Sequence, residues 1–375
     1  MRVGEAWRSP PTQLCTLYVS ILIALLPVVQ RRNLPAGLPF HLHGRKHGPV
    51  SDWEVVKSRK GLVNLLVVVA IILALWLIYR SVSRYSPGEI AQSLGVIPLQ
   101  HLAMAIAFTA LSYACLTGFD ALGLIYAGTP LPYWRVALTS FVSLSIGHNV
   151  GLSALSSGAI RYRFYSRWGL RAEDVAKVVL FSGLTVALGL LALCGVSMLV
   201  SSGSVTKITG LSHGWSMMLG LFILLVLLIF VTICFKLRRP LKIWGWTFTL
   251  PTARLALAQI LLGTLNFSFI AASLQQLILA YQDVSYWDIS TVYTIANGAA
   301  VISHVPGGLG VLETTIQLLL PQAATIGAVI AFRAIYFFLL LPLGLILLGV
   351  TERFFRIHPL RTKSASRPRA RAQSS

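Results

Sequence analysis

The sequence predicts an all-α polytopic membrane protein with six spanning helices and two re-entrant broken segments arranged as two inverted repeats. Three observations carry that expectation. The chain has 375 residues, 56% of them hydrophobic and only 11% charged, against roughly a quarter charged in ordinary soluble domains. Four runs, Val178 to Thr206, Ile208 to Phe235, Leu255 to Gln282 and Ile289 to Leu312, contain no Asp, Glu, Lys or Arg, and about 20 apolar residues suffice to cross a hydrocarbon core as a helix. Two stretches, one of them containing the last of these runs, are interrupted by glycine, asparagine and proline, which a plain span would not carry.

Residues 1–60 come first. They hold one apolar run, Leu14 to Val29, followed by Arg31 and Arg32 and by a stretch rich in Pro, Gly, His and Arg that ends in Lys57, Arg59 and Lys60. The run has no small-residue cleavage site, so it is read as an extra N-terminal hydrophobic segment or as an extension outside the core fold, and not as a cleaved signal. From Gly61 to Val350 the candidate segments are Leu62 to Tyr79, Leu99 to Tyr126, Val136 to Ser157, Val175 to Val200, Trp215 to Phe235, Ala253 to Tyr281, Ile289 to Leu320 and Ala323 to Val350. Residues 351–375 form a basic tail, expected to be disordered.

The two unusual segments are Val136 to Ser157, with GHNVG from Gly147 to Gly151, and Ile289 to Leu320, with SHVPGGLG from Ser303 to Gly310. Pro306 removes a backbone donor, and Gly147, Gly151, Gly307, Gly308 and Gly310 loosen the helix, so each segment should break at membrane depth. Charge then orients the chain. Of the 31 Lys and Arg, nine precede Gly61, seven follow Glu352 and 15 lie between. If both broken segments enter and leave on one face, Lys57 to Lys60, Arg135, Arg161 to Lys177, Lys236 to Lys242 and the C-terminal tail all fall on the cytoplasmic side. Eight simple crossings would scatter these clusters over both faces.

An internal correspondence supports the same plan. His148 and His304 lie 156 residues apart; each is followed three residues later by a glycine (Gly151, Gly307) and preceded two earlier by an isoleucine (Ile146, Ile302). The same offset carries Leu62 to Tyr79 onto Met218 to Phe235, Leu99 to Tyr126 onto Leu255 to Gln282, and Lys177 onto Arg333. The halves are thus residues 61–201 and 214–350. Each crosses three times, so they have opposite orientation, as in transporters built from inverted repeats.

Broken helices expose backbone polar groups, which are tolerated inside a membrane only against protein or a water-filled cavity. A polar cavity between the halves is therefore expected, lined by His148, Asn149, His304, Glu313 and Arg333, with Asp120, Asn266, Gln275, Gln276 and Asn297 on flanking helices. The other reading of the glycines is close helix packing. An ionised side chain at the bilayer centre costs about 2.5–3.5 kcal/mol on insertion scales, so Asp120, Glu313 and Arg333 should be paired, and a Glu313 to Arg333 pair is the natural one.

Directly after the first broken segment, IRYRFYSRWGLRAEDVAK (Ile160 to Lys177) alternates Arg161, Arg163, Arg167 and Arg171 with Tyr162, Phe164, Tyr165 and Trp168. A guanidinium can donate two parallel hydrogen bonds to one phosphate. The segment therefore reads either as a port for anionic lipid headgroups or as an ordinary basic and aromatic interface belt. The net charge of +20 is mostly terminal and fits anchoring against anionic lipid better than nucleic acid. Cys15, Cys115, Cys194 and Cys234 form no CxxC pair and lie in apolar stretches, so neither a disulfide framework nor a metal site is expected. PGGLG lacks the spacing of a phosphate-binding loop, and HExxH and GxSxG are absent; no cofactor and no enzymatic activity are expected.

LSSGAIRYRFYSRWGL (Leu155 to Leu170), followed much later by VISHVPGGLGVLETTI (Val301 to Ile316), resembles the transmembrane domain of the bacterial lysylphosphatidylglycerol synthase/flippase superfamily. It is especially similar to the stand-alone inner-membrane members that lack the transferase domain. The resemblance covers roughly residues 61–350. It implies a multi-pass protein of the bacterial inner membrane, with a cytoplasmic C-terminus, that translocates phospholipid, anionic or aminoacylated, with its headgroup in the cavity and its tails in the bilayer. Arg161 and Arg163 would draw in the headgroup phosphate beside Tyr162 and Tyr165. The elements around His148 and His304 would gate the path, and Glu313 with Arg333 would close or polarise it. Two alternatives stand beside this one: an accessory subunit, alone or as a homodimer, that presents lipid to a partner enzyme, and a membrane-embedded transferase with His148 or His304 as base.

Overall fold

The computed structural model describes residues 87–150, 153–201, 206, 210–237, 241–243, 246–303, 308, 310–320 and 325–357. The Leu14 to Val29 run, the candidate span Leu62 to Tyr79, and His304, Pro306, Gly307 and Gly151 lie outside these residues, as does the tail from 358 onward.

The described residues are helical apart from one short hairpin. In chain order they form α1 (Pro87–Val96), α2 (Leu99–Ala127), α3 (Tyr133–Val150), α4 (Ser153–Arg167), α5 (Ala172–Val200) and α6 (His213–Lys236). After the hairpin come α7 (Ala253–Ile278), α8 (Tyr286–Ser303), α9 (Val311–Leu319), α10 (Thr325–Arg333), a π-helical turn (Ala334–Phe338) and α11 (Leu340–Ile357). Five helices are long and apolar enough to cross a membrane: Leu99–Ala127, Ala172–Val200, His213–Lys236, Ala253–Ile278 and Gly327–Phe355. Three details depart from expectation. Between the candidate segments Leu62 to Tyr79 and Leu99 to Tyr126, where no helix was expected, lies α1. Residues 351–357, read as the start of the tail, continue α11. The basic stretch after α6 leads into two three-residue strands, β1 (Leu241–Ile243) and β2 (Trp246–Phe248), paired antiparallel with Lys242 opposite Thr247.

Local chemistry sets the helix ends. Pro98 precedes α2, and Gly128 closes it in the left-handed conformation at φ 74°, its N–H donating to the carbonyls of Leu124 and Ile125, a turn glycine adopts without a Cβ penalty. The Thr252 hydroxyl accepts from the Leu255 N–H at the start of α7. Asp174 accepts from the Arg171 N–H at 3.2 Å, capping α5. The expected breaks are present: α3 stops at Val150 and α4 begins at Ser153; α8 stops at Ser303 and α9 begins at Val311. In each case the two short helices fold back and pack on one another.

The core sits where α2 and α7 cross. Thr109 and Ser273 share a hydrogen bond at 3.1 Å, the Ser112 hydroxyl donates to Asn266 at 2.8 Å, and Ser273 donates to the Ala105 carbonyl at 3.0 Å. Glycine brings the other long helices together: a Cβ on Gly189 of α5 or on Gly263 of α7 would overlap the facing backbone, and on α6 a Cβ on Gly220 would come within 3.0 Å of the Gly195 carbonyl of α5. Where lipid is as apolar as leucine, such close approach and buried polar contacts are what hold helices together. Helix α6 is the least covered, presenting Met218, Leu221, Phe222, Leu225 and Leu228 outward, as a lipid-facing helix does.

Candidate functional site

The polar interior is organised around two ion pairs, one fully buried and one with a partly exposed carboxylate, each with one member on a helix of one broken segment. Asp120 of α2 has no exposed surface and Arg161 of α4 is 3% exposed. The guanidinium grips the carboxylate with both prongs, Nε to Oδ2 at 2.8 Å and Nη2 to Oδ1 at 2.9 Å, while Nη1 donates to Ser157 Oγ at 2.8 Å. The Tyr165 hydroxyl and Ser182 Oγ each add a bond to Asp120 at 3.2 Å. The carboxylate thus accepts four hydrogen bonds, which is what permits an ionised group to be buried. Arg161, expected to draw in a lipid phosphate, is engaged within the protein in this structure. Its donors are already directed at Asp120 and Ser157, and it fastens α4 to α2. Tyr165 is buried against the same carboxylate, whereas Tyr162 points outward.

The second pair is the expected one. Arg333, 2% exposed, donates to Glu313 through Nε and to the Gly308 carbonyl through Nη2 at 3.1 Å. Its guanidinium also lies 5.5 Å from the Phe337 ring centre. Glu313 Oε2 accepts from the Gly310 N–H at 2.8 Å, so the same carboxylate caps α9 and holds α10. Gly308 and Gly310 both take positive φ, 61° and 83°, conformations open mainly to glycine, and the Gly308 carbonyl thereby reaches Arg333. The two pairs are not copies of each other. In the first half the arginine is on the broken segment and the carboxylate on a long helix; in the second half the signs are exchanged.

Between the pairs, the end of α3 meets the π-helical turn. The Asn149 amide donates to the Ser145 carbonyl at 2.8 Å and to the Phe337 carbonyl at 3.3 Å. Such turns leave carbonyls displaced from the regular ladder and recur at functional sites. The His148 ring packs among Tyr113, Tyr336 and Phe337, and Tyr336 hydrogen-bonds Ser112 at 3.0 Å. Buried His148 Nδ1 and the Tyr113 hydroxyl have no partner among the described residues. Gly147 permits the fold-back, since a Cβ there would come within 2.9 Å of Ser157 Cβ. Of the flanking residues, Asn266 bonds Ser112, Gln275 donates to the Val284 carbonyl at 3.1 Å and Gln276 meets His101 at 2.9 Å, while Asn297 is half-buried. The described polar groups therefore face one another as packed networks and do not line an open polar cavity. A cavity of about 370 Å³ beside them, between α2, α3 and α11, is almost wholly apolar.

A third cluster gathers outside the core, at the C-terminal end of α4. Glu352 of α11 accepts from Arg163 at 2.6 Å and from Arg167 at 2.7 Å. Arg167 lies 4.9 Å over Phe355, and Arg135 sits 5.2 Å and 5.4 Å from the Trp134 and Trp168 ring centres. The sequence pattern singled out Arg163, but it did not reveal Glu352 as its partner, nor that Arg135 and Trp134 of α3 gather at Trp168 beside it in the chain. The signal was present only as the basic and aromatic residues at the start of α3.

No family model matches the chain. It is similar to "Uncharacterized protein slr0712" of Synechocystis, 32% identical over 300 residues that make up 79% of this chain and 93% of that protein. It is similar also to "Inner membrane protein YbhN" of Escherichia coli, 28% identical over 301 residues, 78% of this chain and 92% of that one. Those matches, together with the five apolar helices, make this an integral, multi-pass membrane protein, and the chain belongs to the family of slr0712.

Proposed function

We propose that this protein moves phospholipid across the bacterial inner membrane, the headgroup passing between two inverted repeats while the acyl tails remain in the bilayer. The observation that carries this reading is the pair of helix breaks, each closed by its own buried guanidinium–carboxylate contact, Asp120 with Arg161 and Glu313 with Arg333. Buried charge inside membrane segments is expensive and is kept where a polar path is needed. The repeat offset of 156 supports the architecture: it carries α2, α3, α4 and α5 onto α7, α8, α9 and the α10–α11 helix, and it carries the packing of α5 on α8 onto that of α11 on α3. In this reading the two broken pairs are re-entrant hairpins, the Leu62 to Tyr79 segment is the sixth span, and the C-terminus is cytoplasmic. The motifs at Leu155 to Leu170 and Val301 to Ile316 bring the lysylphosphatidylglycerol flippase domain in as the nearest analogy of activity, without covalent chemistry on this chain.

The test is translocation of headgroup-labelled phosphatidylglycerol in vesicles containing the purified protein. Label on the inner leaflet should become accessible to a membrane-impermeant quencher far faster than in protein-free vesicles. Equal rates would overturn the proposal.

A second reading is favoured by one observation: the basic side chains outside the core, Arg135, Arg163 and Arg167, collect at one end of the bundle. A protein presenting lipid from one leaflet to a separate enzyme needs only such a one-sided cluster. It would bind labelled lipid and not translocate it.

A further inference from the structure

The cavity beside the ion pairs takes its shape from a single stripe of α2. Ile106, Ala110, Ala114 and Thr117 line it at helical spacing, with Phe141 of α3 and Leu343 of α11 opposite. From Ile106 to Thr117 the stripe runs about 16 Å at the helical rise of 1.5 Å per residue, roughly half of a hydrocarbon core about 30 Å thick. Its threonines are spent internally: Thr109 bonds Ser273, and Thr117 bonds the Ala114 carbonyl and the Tyr133 hydroxyl, both at 2.7 Å, while the Tyr113 hydroxyl on the same wall is buried without a partner among the described residues. Ala110 and Ala114 are exposed on its floor, and Ile106 and Leu343 are exposed at its rim. A groove of this length, apolar throughout and running along a spanning helix, matches one acyl chain of one leaflet.

The groove also has a defined polar end. Tyr133, bonded to Thr117, is the first residue of α3 and is followed by Trp134 and Arg135. Arg135 reaches Trp168, Trp168 meets Phe355, and Arg167 covers Phe355. Exposed Tyr133 and Trp134 are the aromatic pair expected at a headgroup level. Buried Arg135 Nε and Arg167 Nη1 have no hydrogen-bond partner among the described residues, although an unsatisfied guanidinium N–H is costly to bury. Arg135, two residues beyond Tyr133, carries one such donor at the end of the apolar groove, and Arg167, whose Nη2 donates to Glu352 at 2.7 Å, carries the other across the Trp168–Phe355 pair; together they complement a phosphate whose tail lies in the groove.

We propose that α2, α3 and α11 form a binding site for one anionic glycerophospholipid, an acyl chain in the Ile106–Thr117 groove and the phosphate at Arg135 and Arg167. The site rests on the reading that the chain handles phospholipid, but it is detected by binding and not by transport.

The experiment uses the full chain in vesicles with phosphatidylglycerol carrying a photoactivatable diazirine in one acyl chain, and phosphatidylcholine with the same chain for comparison. Cross-linked peptides are then mapped by mass spectrometry. Phosphatidylglycerol should label residues 106–117 and 335–343 several-fold more than phosphatidylcholine does. Ala110→Trp with Ala114→Trp should cut that labelling several-fold, with labelling of α6 retained as the sign of normal insertion; Leu225→Trp on α6 should leave the groove peptides unchanged. Arg135→Gln should bring the two lipids toward equal labelling. Even labelling of α2 and α6, indifference to the groove-filling pair, or no preference for phosphatidylglycerol overturns the site. Groove labelling without translocation in the same vesicles would confirm the site and overturn flipping; translocation with no preferential labelling of the groove in the unsubstituted chain would overturn the site alone.

Discussion

At the scale of single residues, most of the chemistry lies in who pairs with whom. Asp120 and Arg161 satisfy each other so fully that neither can be changed alone without leaving a buried charge. Asp120→Leu and Arg161→Met should each cost about 3–5 kcal/mol, the usual penalty of orphaning one member of a buried pair. The double change should recover much of that loss, because two apolar side chains need no partner. Thermal stability in detergent, read as a double-mutant cycle, checks this; additive losses would mean that the pair is not the coupling element. Arg163 behaves differently, being half exposed and sharing Glu352 with Arg167. Positive-inside orientation counts only charge, whereas phosphate recognition uses the planar fork. Lys at both Arg163 and Arg167 should therefore preserve abundance and topology and reduce translocation several-fold, while Lys at Arg369 and Arg371 should change nothing. Full translocation by the first variant would make this cluster an interface anchor.

Among the helices, the decisive features are the breaks and the close crossings. If α3 and α4 form a re-entrant hairpin, the start of α3 and the residues after α4 share one face of the membrane. Single cysteines at Trp134 and Arg171, both exposed, in a background lacking the native cysteines, should be labelled by a membrane-impermeant maleimide from the same side. Labelling from opposite sides would remove the hairpin. The α5–α7 crossing depends on Gly189 and Gly263, whose added Cβ atoms would meet backbone and not a movable side chain. Gly189→Val should force the helices apart and lower the yield of monodisperse protein sharply. Gly183→Ala on the same helix, where a Cβ meets nothing within 4 Å, should be neutral or slightly stabilising, since alanine is the better helix former by about 1 kcal/mol.

For the whole molecule, terminal basicity and internal polarity serve separate ends. Removal of residues 361–375 should leave insertion and activity nearly intact, because Arg353 and Arg356 still flank the last crossing; loss of activity at normal protein levels, seen in the same vesicle assay, would mean that the tail has a specific partner. The membrane class, the five apolar helices to within a turn or so at their ends, and the two interrupted segments were legible in the sequence by itself. Hydropathy and the effects of Gly and Pro are local properties that follow the chain without reference to packing. The Glu313–Arg333 pair was legible too, since only 20 residues separate its members and few other charges lie nearby. What only the tertiary structure decided is which distant side chains meet. Asp120 lies 41 residues from Arg161, and Glu352 lies 189 from Arg163; nothing local in either sequence window distinguishes a guanidinium that will close on a carboxylate from one left for a phosphate. That choice is made when α4 folds back on α3, α2 packs on α5 and α11 packs on α3, because the penalty for burying a charge depends on the groups around it and not on its neighbours in the chain.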